Sequence, residues 1–220
     1  MKRGIALTQC LAVASVLSLG GCKIERNDVA SGDGSTQVVS GSQGGDMIAL
    51  VESIWDSQVV PHLRQTATGM KELVADIGAD VDSAGEAHGY RPSSEGSPWN
   101  FAVSVEGTVV SAKTDTRAAT ADVDVTGDGE ADVVLQLGPV IRGTALRDIL
   151  PFVDFSSFTD QIEFAQLSRS LNTRAYETAL KDLPRETLVG QRVEALGAFT
   201  ERGEGPPYLV TPVTVRVSGQ

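Results

Sequence analysis

The spacing of apolar residues changes several times along the chain, and each change marks an element. After Met1-Lys2-Arg3, residues 4–19 are largely apolar, interrupted by Thr8, Gln9, Ser15 and Ser18. Residues 23–45 then carry hardly any large apolar side chain and are rich in Ser, Gly, Asp and Gln, a composition that predicts a flexible tether over residues 22–45. From Asp46, a candidate helix cap, Ile48, Val51, Trp55 and Val59 fall at helical spacing. The pattern restarts after Pro61 with Leu63, Ala67, Met70, Val74 and Ile77, ending before Gly78. This predicts two helices, or one kinked helix, with a single buried face.

At Asn100 the period falls to two. Phe101, Val103 and Val105 alternate with small or polar residues, followed by Val109 and a Thr-rich stretch over 113–120. Residues 119–126 and 131–142 read as paired strands joined by a tight turn at Gly127-Asp128-Gly129. Ser157 to Asp160 resembles a capping box, and Phe164, Leu167, Leu171, Ala175 and Ala179 form a helical stripe that stops before Pro184. Two alternating stretches close the chain, Val193 to Phe199 and Leu209 to Val217.

The order is helix, helix, three strands, helix, two strands, in one α+β domain over residues 46–220. Five antiparallel-type strands with a helix between the third and fourth follow the order of the oligonucleotide/oligosaccharide-binding (OB) barrel. Glycines within the later strands suit its tight coiling. An open antiparallel sheet flanked by helices is the alternative.

Composition narrows the function. The chain has 220 residues, 41% of them hydrophobic, with 23 glycines, enough to bury a core. Its formal net charge of −11 repels phosphate backbones, so nucleic acid is not an expected partner. Downstream of the N-terminal stretch no apolar run is long enough to span a bilayer. Two cysteines and two histidines leave almost nothing from which to build a zinc or iron–sulfur site or a thiol catalytic centre, and no cofactor is expected.

The N-terminus has the form of a secretory signal peptide over residues 1–21. It ends in Leu19-Gly20-Gly21-Cys22, which resembles the lipobox of bacterial lipoproteins. That resemblance implies that Cys22 becomes the lipidated first residue of the mature chain, anchored at the periplasmic face of a membrane. Cleavage would discard Cys10 and leave no thiol for a disulfide. Lys23, where aspartate would signal inner-membrane retention, points to the outer membrane.

Three constellations carry candidate chemistry. Asp124, Asp128 and Asp132 surround two glycines as in calcium loops, but Leu135 stands at the twelfth position, where such a loop needs a bidentate acid. The other reading is a solvated hairpin turn. The run Gly138-Pro139-Val140-Ile141-Arg142-Gly143-Thr144-Ala145-Leu146-Arg147-Asp148 places two guanidinium groups among small and apolar residues. Arg142 is the candidate for holding a carboxylate, phosphate or sugar hydroxyl of a ligand or partner. Arg147 is expected to pair internally with Asp148, Asp154 or Asp160. His62 and His88 read as capping or surface histidines, and no nucleophile elbow or P-loop is present. With 29 acidic residues, close carboxylate pairs are inevitable and carry no signal by themselves.

Five features together resemble the bacterial predicted periplasmic lipoproteins grouped as domain of unknown function 2291. They are the lipobox with Cys22-Lys23-Ile24, Ile54-Trp55-Asp56 with Val60-Pro61, the Gly138–Asp148 run, Phe158-Thr159-Asp160-Gln161, and Leu171-Asn172. The resemblance spans the mature domain and departs from the family in the long polar tether. It implies a lipoprotein with no assigned activity, often encoded beside sugar-type ABC transporters. Within these motifs Arg147, Asp148, Asp160 and Gln161 are expected to be structural. The reading that follows is a membrane-anchored, non-enzymatic accessory or binding protein for solute uptake, with a transporter component or solute-binding protein as partner. The rival is a hydrolase of envelope carbohydrate using an acidic pair.

Overall fold

The computed structural model describes residues 47–92 and 96–218, all within the compact unit Thr36–Gln220. The signal peptide, Cys22, Lys23, the tether and the Asp46 cap lie outside the described residues.

The described residues begin with α1 (Met47–Ile54), which passes through a π-turn at Trp55–Val59 into α2 (Val60–Thr66). Pro61 directly follows the π-turn, and because it has no N–H to continue the helical ladder, the widened turn at Trp55–Val59 lies where the regular bonding is interrupted. Ala67 is extended, and β1 (Thr68–Gly69) follows before α3 (Met70–Ala79) and α4 (Val81–His88), then β2 (Gly89–Tyr90). The barrel strands are β3 (Asn100–Lys113), β4 (Ala118–Asp124), β5 (Val133–Pro139), β6 (Arg192–Thr200) and β7 (Tyr208–Ser218). Between β5 and β6 lie α5 (Ala145–Asp148) and α6 (Gln161–Ala175), the latter prolonged by a π-turn at Tyr176–Leu180.

β3 pairs antiparallel with β4 and β6, β4 with β5, β6 with β7, and β5 runs parallel to β7. The ring β3-β4-β5-β7-β6 is therefore closed, and the fold is an OB-like barrel with α6 between its third and fourth strands. Closure needs sharp coiling. A Cβ on Gly107 would lie 2.2 Å from the Asp124 carbonyl oxygen, and one on Gly197 would lie 2.5 Å from that of Thr211, so only glycine lets the strands approach there.

Alternation along the strands feeds two cores. Phe101, Val103, Val105, Leu135, Phe199 and Val210 point into the barrel, where the Phe101 and Phe199 rings stack at 5.3 Å. Ala102, Ala198 and Val213 point outward against α1, α2, α5 and α6. The expected single helical face is thus corrected. The α1–α2 segment buries Val51, Trp55, Val59 and Leu63 on the outer wall, whereas α3 sends Met70, Leu73 and Ile77 into the barrel. The chain leaves the helix at Ala67 because Thr68 and Gly69 pair with Val103 and Ser104 of β3 before α3 begins.

Three further expectations are corrected. The 124–132 connection is a closed loop longer than a tight turn. The cap of α6 is Asp160, whose Oδ1 accepts from Ile162 N and Glu163 N, with Ser157 lying in a preceding 3₁₀ turn. The π-turn after Ala175 adds a residue to the repeat, so Leu180 is fully buried where the pattern had placed Ala179. Among the described residues no helix is long and apolar enough to cross a membrane.

Candidate functional site

The Gly138–Asp148 run leaves the end of β5 and is held from three sides. Gln136, buried on β5, accepts from Arg142 N at 2.8 Å and donates through Nε2 to Arg142 O (3.0 Å) and Thr211 Oγ1 (2.8 Å). Asn172 of α6 donates to Gly143 O at 3.0 Å. Arg185 donates to Gly138 O (2.8 Å) and Leu137 O (2.7 Å) while lying over the Tyr176 ring. These bonds satisfy a backbone that has left the sheet, and they fix where the side chains of residues 142–144 emerge.

They emerge at a cleft of about 120 Å³, walled on the opposite side by the β6–β7 connection. Arg142 and Thr144 face Arg202, Glu201 and Glu204 across it, with Thr200, Tyr208 and Thr211 in the floor and sides. Arg142 and Arg202 are both exposed, and neither guanidinium has a hydrogen-bonding or acidic partner among the described residues. Glu201 is committed to its own loop, accepting from Gly203 N at 2.6 Å. Burial, and secondarily the charge of Glu201, push the Tyr208 phenol above its ordinary pKa, so it remains a neutral hydrogen-bonding group.

Arg147 lies five residues from Arg142 but in a different setting. Asp148 Oδ1 accepts from Arg147 Nε at 2.7 Å and Nη2 at 2.6 Å, and the guanidinium stacks 3.8 Å from the centre of the Phe164 ring. The two side chains are only 14% and 18% exposed. Thr144 Oγ1 donates to the other oxygen of Asp148, so the ion pair braces the start of α5 against α6. Of the three acids anticipated for Arg147, the structure selects Asp148. Asp154 and Asp160 instead cap a 3₁₀ turn and α6. Gln161 is exposed in the first turn of α6, and its side chain makes no hydrogen bond among the described residues.

In the acidic hairpin the carboxylates are occupied by backbone. Asp124 accepts from Gly127 N (2.6 Å) and Gly129 N (2.8 Å), and these donors hold its pKa below the ordinary carboxylate value. Asp132 Oδ2 accepts from Val125 N (2.8 Å) and from Thr126 N (3.1 Å) and Oγ1 (3.2 Å). Asp128 accepts from Glu130 N. Gly127 and Gly129 both sit at φ +91°, a conformation that lets their amides turn inward. His62 is half-buried, with Nε2 3.2 Å from Ile149 O and its ring edge-on to Phe152. Burial lowers its pKa more than that hydrogen bond raises it.

Sequence reading missed Gln136, Arg185 and Arg202. Gln136 was legible as a polar residue in an otherwise apolar strand. The two arginines carry no local signal, because their roles depend on contacts across the chain.

An OB-fold protein from Thermotoga maritima of known structure superposes with a TM-score of 0.64 at 17% identity, covering 80% of this chain and all of that one. This likeness speaks to the barrel. No curated protein matches the sequence. A family model described as "Predicted periplasmic lipoprotein (DUF2291)" matches residues 12–216, which takes in Leu19 to Cys22, every described helix and almost all of the barrel. The chain belongs to this family of predicted periplasmic lipoproteins.

Proposed function

We propose that this protein is a non-enzymatic binding module, anchored to the membrane through a diacylglyceryl group on Cys22, that serves solute uptake by engaging an acidic surface of a transport component through the Arg142–Arg202 cleft. One observation carries the reading. Two arginines of a strongly acidic chain project, unpaired among the described residues, from a backbone fixed by Gln136 and Asn172. An exposed guanidinium with no internal partner is positioned for a carboxylate or phosphate from outside, and its fork favours planar, bidentate partners. The cleft also lies against the connection between the last two barrel strands, one of the loops that OB barrels use for ligands.

The anchor supplies the other half of the reading. A lipidated cysteine with several acyl chains gives stable membrane attachment where a single chain does not. The association with sugar-type ABC transporters that the family resemblance implies supports a role in uptake.

The test is recovery of the protein from detergent-solubilised membranes, with identification of whatever accompanies it. Wild-type protein is expected to take up an acyl probe, to sediment with membranes and to bring down a transport component. Cys22→Ser is expected to lose label and membrane association. Label persisting on Cys22→Ser, or wild-type protein recovered without any transport component, would overturn the reading.

A further inference from the structure

We propose that Glu72 and Asp76 of α3 and His88 of α4 form a binding site for a first-row divalent metal ion, with Zn²⁺ the preferred occupant and the fourth position open to solvent. One ligand atom from each of the three residues lies within 4.8 Å of the other two. His88 Nε2 and Asp76 Oδ2 are 3.4 Å apart, which matches the ligand-to-ligand edge of about 3.4 Å in a tetrahedron with Zn–N and Zn–O bonds of about 2.0–2.1 Å. Imidazole nitrogen and carboxylate oxygen are both zinc ligands, and three protein ligands with a fourth position left for water are the make-up of an open zinc site.

A second observation is independent of that spacing. Glu72 and Asp76 are like charges four apart on one helix face, an arrangement that destabilises a helix when nothing neutralises it. Among the described residues no lysine or arginine pairs with either one. The adjacent Lys71 is turned away and donates to Thr126 O. Among the described residues His88 is the metal-ligating side chain that meets them, at 28% side-chain exposure against 43% for Asp76, so an ion has access from solvent. His88 is also the last residue of α4, where the helix dipole favours a positive charge.

The scaffold fixes the two helices that carry the three side chains. Asp80 ends α3 and also caps α4 through Ser83 N at 2.7 Å, so the two helices share one junction residue. Met70, Leu73, Ile77 and Ala84 root the pair in the barrel core. The Trp99 ring presses on Gly85, where a Cβ would lie 2.1 Å from the indole. The scarcity of thiols and imidazoles does not exclude such a site, because carboxylates are zinc ligands as well. One histidine suffices when two carboxylates complete the set, and the chain's other histidine, His62, is turned onto Ile149 O.

The experiment is calorimetric titration of ZnCl₂ into the metal-free protein purified in detergent, with CoCl₂ absorption as a report of coordination. Saturation at one equivalent is expected, together with the intense visible absorption of tetrahedral Co²⁺. Loss of a direct ligand should cost at least the roughly tenfold seen when partners outside the coordination sphere are lost. His88→Ala and, independently, Glu72→Gln are therefore expected to weaken Zn²⁺ binding by more than that. Asp128→Asn in the hairpin should leave it unchanged. Circular dichroism identifies any variant that fails to fold, and Glu72→Gln, at an exposed position, keeps the test open if His88→Ala does so. Absence of saturable binding, binding indifferent to both substitutions, or equal affinity for Mg²⁺ would overturn the proposal.

Discussion

Two acidic regions of this molecule differ in what their oxygens do. In the 124–132 hairpin, Asp124 and Asp132 each accept several hydrogen bonds from backbone donors of their own loop. On α3, the Glu72 and Asp76 carboxylates accept none from backbone N–H groups among the described residues, and the imidazole of His88 meets them there. The hairpin has the denser carboxylate pattern, yet its charge is committed to folding, whereas the sparser cluster remains available. The arginines divide the same way. Arg147 is consumed by Asp148 and Phe164, and Arg142 is left over at the cleft. A charged group is a candidate for recognition when the fold has not already satisfied it, whatever motif it sits in.

The largest expected effect of breaking this division is at Arg147. Arg147→Ala would leave Asp148 largely buried and unpaired, at a cost of about 3–5 kcal/mol, a large part of the stability of an ordinary domain. Thermal and denaturant melts check it, and a loss below about 1 kcal/mol, the value of a surface pair, would return Arg147 to the uncommitted class. Next comes Asp132→Ala, which strips the Val125 and Thr126 amides of their acceptor and should cost about 1–3 kcal/mol. Urea unfolding measures it. An unchanged midpoint would mean that the loop is not held by its carboxylates.

A smaller effect is expected at His62, whose folded pKa lies below the ordinary value of 6.5 because burial disfavours the charged ring. As pH falls through that ordinary value the unfolded chain binds a proton that the folded chain resists. Stability therefore drops with falling pH until the folded pKa is passed, below which the loss is complete. His62→Gln keeps a donor for Ile149 O and removes the titration, so its melting temperature should fall less than that of wild type between pH 7 and pH 5.5. Parallel pH slopes would show that His62 is not the group responsible.

Much of the architecture was legible because one rule governs it. Alternation at Phe101, Val103 and Val105 or at Val193 and Ala195 reports a barrel wall, and five such stretches with a helix between the third and fourth specify the ring. The errors fall where local pattern and tertiary demand diverge. Ala67 continues a helical stripe but must turn extended so that Thr68 can pair with Val103. Ala179 yields to Leu180 because of a π-turn that side-chain periodicity does not encode. α4 was missed because Val81 to His88, rich in Ala, Gly and acidic residues, has little apolar periodicity; its stability comes from the Asp80 cap and the Trp99 contact at Gly85. Without α4, His88 had no visible relation to Glu72 and Asp76. For the cleft, Arg142 was legible as a charge in an apolar run, whereas Arg202 was one of three charged residues in a Gly- and Pro-rich loop, and only the fold places it opposite.

The central claim is that Arg142 serves recognition and Arg147 serves the fold, and Arg142→Glu beside Arg147→Ala tests it most directly. Both proteins would be compared with wild type by thermal melting and by co-purification from detergent-solubilised membranes. Arg142→Glu is expected to stay within about 0.5 kcal/mol of wild-type stability, as an exposed substitution should, and to lose the accompanying transport component. Arg147→Ala is expected to melt far earlier. Equal destabilisation by the two substitutions, or a partner retained by well-folded Arg142→Glu, would contradict the account.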